Sequence, residues 1–289
     1  MTGPLLIFGS TGQVGQELAR RTKGAACPLR DVADLADPAS IEATIYESAP
    51  SAIINAAAWT NVDKAEDHAA EAFAINGIAP GKMAEAAADL EIPLVHISTD
   101  YVFDGAGDEP WGPDDPAGPL GVYGQSKLQG EREVIEVGGT FAILRTSWVF
   151  SSHGKNFVKT MLRLSEAQSA VEVVNDQFGG PTSAASIAEA CLTIAKGLIE
   201  DPARTGTYHF AGAPHVTWAE FAKEVFEQAG RSARVAEVPT ELFPTPAERP
   251  LNSRLDCEST LKTFGISQPD WRKDLTQVLQ ELSQAAGVP

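Results

Sequence analysis

Two hydrophobic rhythms alternate along the first half of this chain. Leu5–Phe8 is a short continuous apolar run ending in glycines, and Gln13–Arg20 follows with helical spacing. Ala25–Leu29 predicts a second, weaker strand. Ser40–Ser48 predicts a helix, with "DPAS" supplying cap-type residues at its start. Ala52–Asn55 reads as a third strand, "DHAAEAFAINGIAPGKMAEAAADL" as a long alanine-rich helix, and "PLVHIS" as a fourth strand. A helix over Tyr123–Val137 and a fifth strand, "FAILRTSWVF", complete the series. Strands alternating with helices predict an α/β fold, a Rossmann-type doubly wound parallel sheet covered on both faces. Ligands of such a sheet lie at the C-terminal ends of its strands.

After Phe150 the rhythm changes. "VEVVNDQFGGPT" reads as a strand entering a Gly-Pro loop, "GTYHFAG" as another strand, and Ser186–Leu198 and Trp218–Ala229 as helices; prolines cluster from Pro239 to Pro250. The expected division is a Rossmann domain over 1–150 and a smaller, mainly substrate-binding lobe over 151–289. Residues of about 171–198 are expected to return to the Rossmann core. The sequence shows no fixed-period repeat and no linker of disordered composition.

Composition narrows the chemistry. Of 289 residues, 43% are apolar, enough for a packed core, yet no run approaches the ~20 apolar residues of a membrane span. The N-terminus reads as a buried strand and not as a signal peptide. A formal net charge of −17 repels nucleic acid and anionic membranes, so an anionic ligand needs a local positive site. Cys27, Cys191 and Cys257 are odd in number and far apart, which predicts free thiols and a cytoplasmic protein. The five histidines show no metal-ligand spacing, and no metal ligand is assigned. His96 is expected to be a packed strand residue.

The glycines supply the local site. "FGSTGQVGQEL" sets Gly9, Gly12 and Gly15 between the first strand and its helix, where glycine allows a sharp turn and close approach to a pyrophosphate. The helix N-terminus offers free N–H groups to the anion. The spacing is GxxGxxG, not the commoner GxGxxG. In "CPLRDVADL", Arg30 is placed to meet a ribose 2′-phosphate, which favours NADP(H) with NAD(H) as the alternative; Asp34 and Leu35 would border the adenine.

The fourth strand ends in "STD", delivering Ser98, Thr99 and Asp100 to the ligand edge. Tyr123 and Lys127 are four apart and share one helix face. A free tyrosine has a pKa near 10; an adjacent ammonium favours its phenolate. Thr99, Tyr123 and Lys127 therefore form a candidate catalytic trio for carbonyl reduction, with Tyr123 as proton donor. Tyr123 and Lys127 also serve as cofactor contacts.

The motifs "GSTGQVG", "NAAAWTNVDKAE", "HISTDYVFDG", "VYGQSK", "LRTSWVF", "NFVKTMLRL", "NDQFGGPT" and "RPLNSRLD" span nearly the whole chain. In this order they resemble the extended short-chain dehydrogenase/reductase superfamily and, within it, the dTDP-4-dehydrorhamnose reductase family. The resemblance implies NADPH-dependent reduction of the C4 ketone of a dTDP-4-keto sugar. A related nucleotide-sugar reductase or epimerase, and a non-catalytic NADP-binding regulatory subunit, are the alternatives. It places the catalytic trio on Thr99, Tyr123 and Lys127. It carries cofactor contacts to Gly12, Gln13, Val14, Ala58, Trp59 and Thr60, and sugar contacts to Val62, Thr99, Asp100 and Trp148. Asn156, Gln177 and Arg249 are implied for the nucleotide diphosphate, and Asn76 for a proton-relay water. Some members are dimers bridged by magnesium through glutamates. Glu17 matches the first of these, but Ala185 stands where another is expected. No metal-bridged dimer is therefore expected, the chain being a monomer or homodimer, and Glu17 is expected to be a solvated helix residue.

Overall fold

The strands are apolar on both sides because helices cover both sides of the sheet they form. The computed structural model describes residues 3–285 and 287. Its first half runs β1 (Leu5–Phe8), α1 (Gln13–Arg21), α2 (Pro38–Ser48), β2 (Ala52–Asn55), α3 (Val62–Asp67), α4 (Ala69–Phe73), α5 (Ala79–Asp89), β3 (Leu94–Thr99), α6 (Val122–Val137) and β4 (Phe141–Thr146). The second half runs β5 (Val149–Phe150), α7 (Phe157–Ala167), β6 (Ala170–Val174), β7 (Phe178–Gly179), β8 (Thr182–Ser183), α8 (Ala184–Glu200) and β9 (Gly206–His209). It ends with β10 (Val216–Thr217), α9 (Trp218–Gln228), β11 (Arg234–Val238), β12 (Asn252–Ser253), α10 (Glu258–Phe264) and α11 (Trp271–Ala285).

The main sheet has the order β1-β2-β3-β4-β9, and every pair in it is parallel. Successive strand residues point to opposite faces. Ile7, Ile54, Val95 and Leu144 pack with Leu18 of α1 and with Ile187, Cys191 and Ile194 of α8. Leu6, Phe8, Ile53, Leu94 and Ile143 pack on the other face with Ile41 and Ile45 of α2, Met83 of α5 and Val134 of α6. Burying each of the large aliphatic side chains contributes about 1.5–3 kcal/mol. A separate cluster forms the small lobe around Phe150, Val158, Phe221, Phe226, Trp271 and Leu275.

Four expectations need correction. The predicted second strand, Ala25–Leu29, shrinks to one parallel bridge between Ala26 and Leu6. Two hydrogen bonds hold it, Ile7 N–H to Ala26 O and Ala26 N–H to Leu5 O. Two residues later Pro28 has no N–H to continue the ladder. The bridge still lies on the side of β1 away from β2, so the chain reverses direction across β1. The crevice of a doubly wound sheet opens at such a reversal.

The fifth strand breaks after Thr146 because Trp148 takes a φ of 47°, leaving β5 to pair with β8 instead. The alanine-rich helix is interrupted by a π-helical turn over Ala74–Ile78 that carries Asn76. Finally, β6 does not return to the main sheet. It pairs in parallel with β11, and its alternate residues Val171 and Val173 face the small-lobe core. The chain comes back to the main sheet through α8 and β9 instead.

Candidate active site

The turn from β1 into α1 is shaped by close backbone approach. Gly9 has a φ of 83°, and a Cβ there would lie 2.5 Å from the Ala57 nitrogen. A Cβ on Gly15 would lie 2.0 Å from the Gly9 carbonyl oxygen. Gly12 caps α1 with no side-chain hydrogen bond, which leaves the first amides of the helix free for an anion. These amides open onto a cavity of about 710 Å³. A glycine cradle with an uncapped helix end fits the diphosphate of a dinucleotide.

The cavity runs along the C-terminal ends of β1 to β4. Of the residues predicted to contact a cofactor, Gly9, Gly12, Gln13, Val14, Arg30, Asp34, Leu35, Ala58, Thr60, Tyr123 and Lys127 line it. Arg30 is exposed and reaches Asp34 at 3.3 Å, a weak surface pair that leaves the guanidinium accessible. A backbone bond from Ala36, and then Arg30, hold the Asp34 carboxyl below its ordinary range. Gly15 lies beneath the loop as a packing contact. The Trp59 ring is turned toward His68, while its backbone is clamped on both sides by the Asn76 amide. The same amide donates to Ser126 Oγ at 3.0 Å, so buried Asn76 ties the β2 loop to α6.

At the other end stand the three candidate catalytic groups. Thr99 ends β3 and donates to Asp100 Oδ1 at 3.0 Å. Tyr123, in the first turn of α6, is hydrogen-bonded to Thr99. Burial, which disfavours the phenolate, pushes the Tyr123 phenol up to about 12, and Asp100 acts in the same direction. Lys127 lies one turn on, buried, and donates to the Ile97 carbonyl at 2.7 Å. Burial lowers its pKa to about 8, against the opposing pull of Glu131. Burial likewise raises the Asp100 carboxyl to about 6.

Among the predicted sugar contacts, Val62, Thr99, Asp100 and Trp148 line this end of the cavity. Trp148 stacks on Trp218 with ring centroids 3.6 Å apart. Its indole fills the space over Gly179, where a Cβ would lie 2.6 Å from the ring. The structure does not bring Asn156, Gln177 or Arg249 to the cavity wall. Asn156 caps α7 and bonds Gln13 and Ser151 at 2.8 Å. Gln177 bonds Thr240 at 3.0 Å. Arg249 pairs with Asp63 of α3 at 2.6 Å, which latches the proline-rich loop over α3.

The cavity also has walls that motif spacing did not mark. Tyr101 packs edge-on against Tyr123, with centroids 5.5 Å apart. Thr146 lines the cavity at the end of β4; its buried hydroxyl has no partner among the described residues. Gly154 and Lys155 close the side near Gln13. Position was the available signal for Tyr101, just beyond the predicted fourth strand; Thr146 lies inside the predicted fifth strand and becomes a strand end only because that strand breaks before Trp148.

Glu17 is a further correction. It is 2% exposed, not solvated, and its carboxylate is gripped by Arg20 at 2.6 Å, by Arg21, and by His153 at 3.0 Å. The arginines lie three and four residues on, the spacing that brings helix side chains together. No group of three or more metal-ligating side chains occurs among the described residues. No helix among them is long and apolar enough to cross a membrane.

The family model described as RmlD substrate binding domain matches residues 2–284. The dTDP-4-dehydrorhamnose reductase of Sinorhizobium fredii is 42% identical over 287 residues, covering 96% of this chain and 97% of the relative. The enzyme of the same name from Escherichia coli K12 is 39% identical over 295 residues, with the same coverage. Among solved structures, dTDP-4-dehydrorhamnose reductase from Bacillus anthracis in complex with NADP superposes with a TM-score of 0.90 at 34% identity. It covers 97% of this chain and all of its own.

Proposed function

The chain belongs to the family described as RmlD substrate binding domain, and we propose that it reduces the C4 ketone of dTDP-4-dehydro-β-L-rhamnose to dTDP-β-L-rhamnose with NADPH. The observation that carries this reading is one cavity with an uncapped glycine-loop helix end at one side and Thr99, Tyr123 and Lys127 at the other. The relatives supply the substrate, and the NADP complex of one of them supplies the cofactor class.

In this reading Gly9, Gly12, Gln13 and Val14 hold the diphosphate, Arg30 meets the 2′-phosphate, and Ala58 and Thr60 border the cofactor from the β2 loop. Bound there, NADPH supplies a hydride for the ketone carbon. Thr99 orients the substrate oxygen, and Tyr123 delivers a proton to it. Lys127 stabilises the phenolate that remains. Val62, Asp100 and Trp148 form the sugar wall, with Trp148 offering a flat apolar face to the deoxy side of the ring. The protein works in the cytoplasm as a monomer or homodimer, consistent with its unpaired cysteines.

Incubation with the 4-keto sugar nucleotide and NADPH, followed by nicotinamide absorbance and NMR of the product sugar, tests the reading. The expected result is stoichiometric oxidation of NADPH and the rhamno product; cofactor binding without turnover would refute it. Arg30→Ala is expected to weaken NADPH more than NADH, and equal losses would remove Arg30 from 2′-phosphate recognition.

A further inference from the structure

His96 and Asn55 are buried, polar and unused by the chemistry described so far. They are register partners on β3 and β2, so their side chains leave the sheet on the same face, beneath α6. Asn55 Oδ1 accepts the Ala57 N–H at 3.1 Å, its Nδ2 faces His96 Nδ1 at 3.0 Å, and His96 Nε2 faces Lys127 Nζ at 3.3 Å. The polarity of this chain is fixed from one end. A backbone N–H only donates, so the Asn55 atom beside Ala57 is the oxygen and the NH₂ group points at His96. Nδ1 must then accept. Complete burial holds the ring's pKa well below its ordinary value, so the ring is neutral and its single proton sits on Nε2. That N–H points at Lys127. An ammonium there would set donor against donor. A free amine accepts the Nε2–H through its lone pair and still donates to the Ile97 carbonyl.

We propose that the Asn55–His96 pair is a positioning device that favours the amine of Lys127 over its ammonium, making Lys127 a proton carrier for Tyr123. The step balances simply. After Tyr123 has given its proton to the substrate oxygen, the Lys127 ammonium passes a proton to the phenolate. The amine so formed accepts the His96 Nε2–H and is then reprotonated from solvent, which supplies the one proton that the overall reduction consumes.

The charged and titratable groups around Lys127 are few. Glu131 lies one turn on along α6, tied by the Arg145 guanidinium of β4 at 2.7 Å and by Ser98 Oγ, so its charge is largely matched; His209 of β9 lies beyond Arg145 at 3.3 Å. Tyr123 lies one turn back, with Asp100 beyond it at the end of β3. Among these groups only His96 presents a donor directly to Nζ.

The proton-carrier role rests on the proposed reductase reading; the tautomer does not. Two measurements therefore separate them. ¹⁵N NMR of the histidine-labelled protein, with the His96 signals identified by their loss in His96→Gln, is expected to show Nε2 protonated and Nδ1 bare. A protonated Nδ1 would overturn the proposal outright. The second measurement is the pH profile of kcat/KM for ketone reduction. Asn55→Asp puts an acceptor against Nδ1, moves the ring proton there and turns Nε2 into an acceptor for an ammonium. His96→Gln can likewise offer Lys127 an oxygen. Each is expected to move the basic limb up by about one pH unit or more. If only one variant folds, its profile decides; a limb that stays in place in every folded variant refutes the coupling to Lys127. A parent protein without ketone reductase activity would refute the functional reading and leave the NMR result to judge the tautomer alone.

Discussion

A phenol with a pKa of about 12 keeps its proton at any physiological pH and releases it only toward a stronger base formed in the reaction. This suits an acid for ketone reduction, since the developing alkoxide is such a base. Tyr123→Phe is therefore expected to retain NADPH binding, measured by fluorescence titration, and to lose about 10²–10⁴-fold in kcat; a variant as fast as the parent would take Tyr123 out of the mechanism. Asp100 makes a prediction about stability. Its folded pKa, about 6, lies above the ordinary carboxyl value of 3.8, chiefly through burial. A raised pKa means that the folded state binds the proton more tightly, so this contribution is complete below about 3.8 and is lost as pH rises through about 6. The parent should thus lose on the order of a few kcal/mol relative to Asp100→Asn between pH 4 and pH 7, read from urea midpoints. A constant difference across that window would show that Asp100 titrates normally.

At the scale of elements, what could be read from the sequence depended on whether a residue's neighbours lay close along the chain. The glycine loop was legible because turn and helix start are contiguous and because the fit of Gly15 against Gly9 is decided within seven residues, whereas the approach of Gly9 to Ala57 is not local. Gly15→Ala tests this directly. Its methyl would occupy space 2.0 Å from the Gly9 carbonyl, so α1 must shift away from the loop. NADPH affinity is expected to fall by at least about tenfold, and the melting temperature with it, by the few kcal/mol of an overpacked contact; unchanged affinity would mean that the loop does not hold the diphosphate. The Tyr123/Lys127 helix was legible for the same local reason. The second strand is shorter than its apolar run because Pro28 lies inside that run and cannot donate to the ladder, a signal that outweighs the hydrophobicity around it. The break at Trp148 is invisible in the sequence because a positive φ in a tryptophan has no composition signal. From the sequence His96 looks like packing; its register with Asn55 and its place beneath α6 make it the lysine's partner.

For the molecule as a whole, the Rossmann half was more legible than the small lobe, whose partners are distant. β6 meets β11 some sixty residues later, and Arg249 finds Asp63 186 residues away. Only the folded chain shows that Asn156, Gln177 and Arg249 brace loops around the cavity. What binds the diphosphate of the sugar nucleotide must then overcome the whole protein's field. A charge of −17 on a sphere of about 24 Å radius repels a dianion at its surface by about 3 kcal/mol at 0.01 M salt and about half of that at 0.1 M. Salt also screens the cavity's own attraction, but that attraction acts at short range, where the helix end is screened less. The two effects oppose each other, and the larger sets the sign. KM for the sugar nucleotide is expected to fall a few-fold as ionic strength rises from about 0.01 to 0.1 M, the reverse of a basic-groove enzyme. Initial rates at fixed saturating NADPH measure it. A KM that instead rises with salt would mean that a positive patch dominates the approach, and Arg30 and Lys155, the exposed cations on the cavity wall, would be the first to substitute.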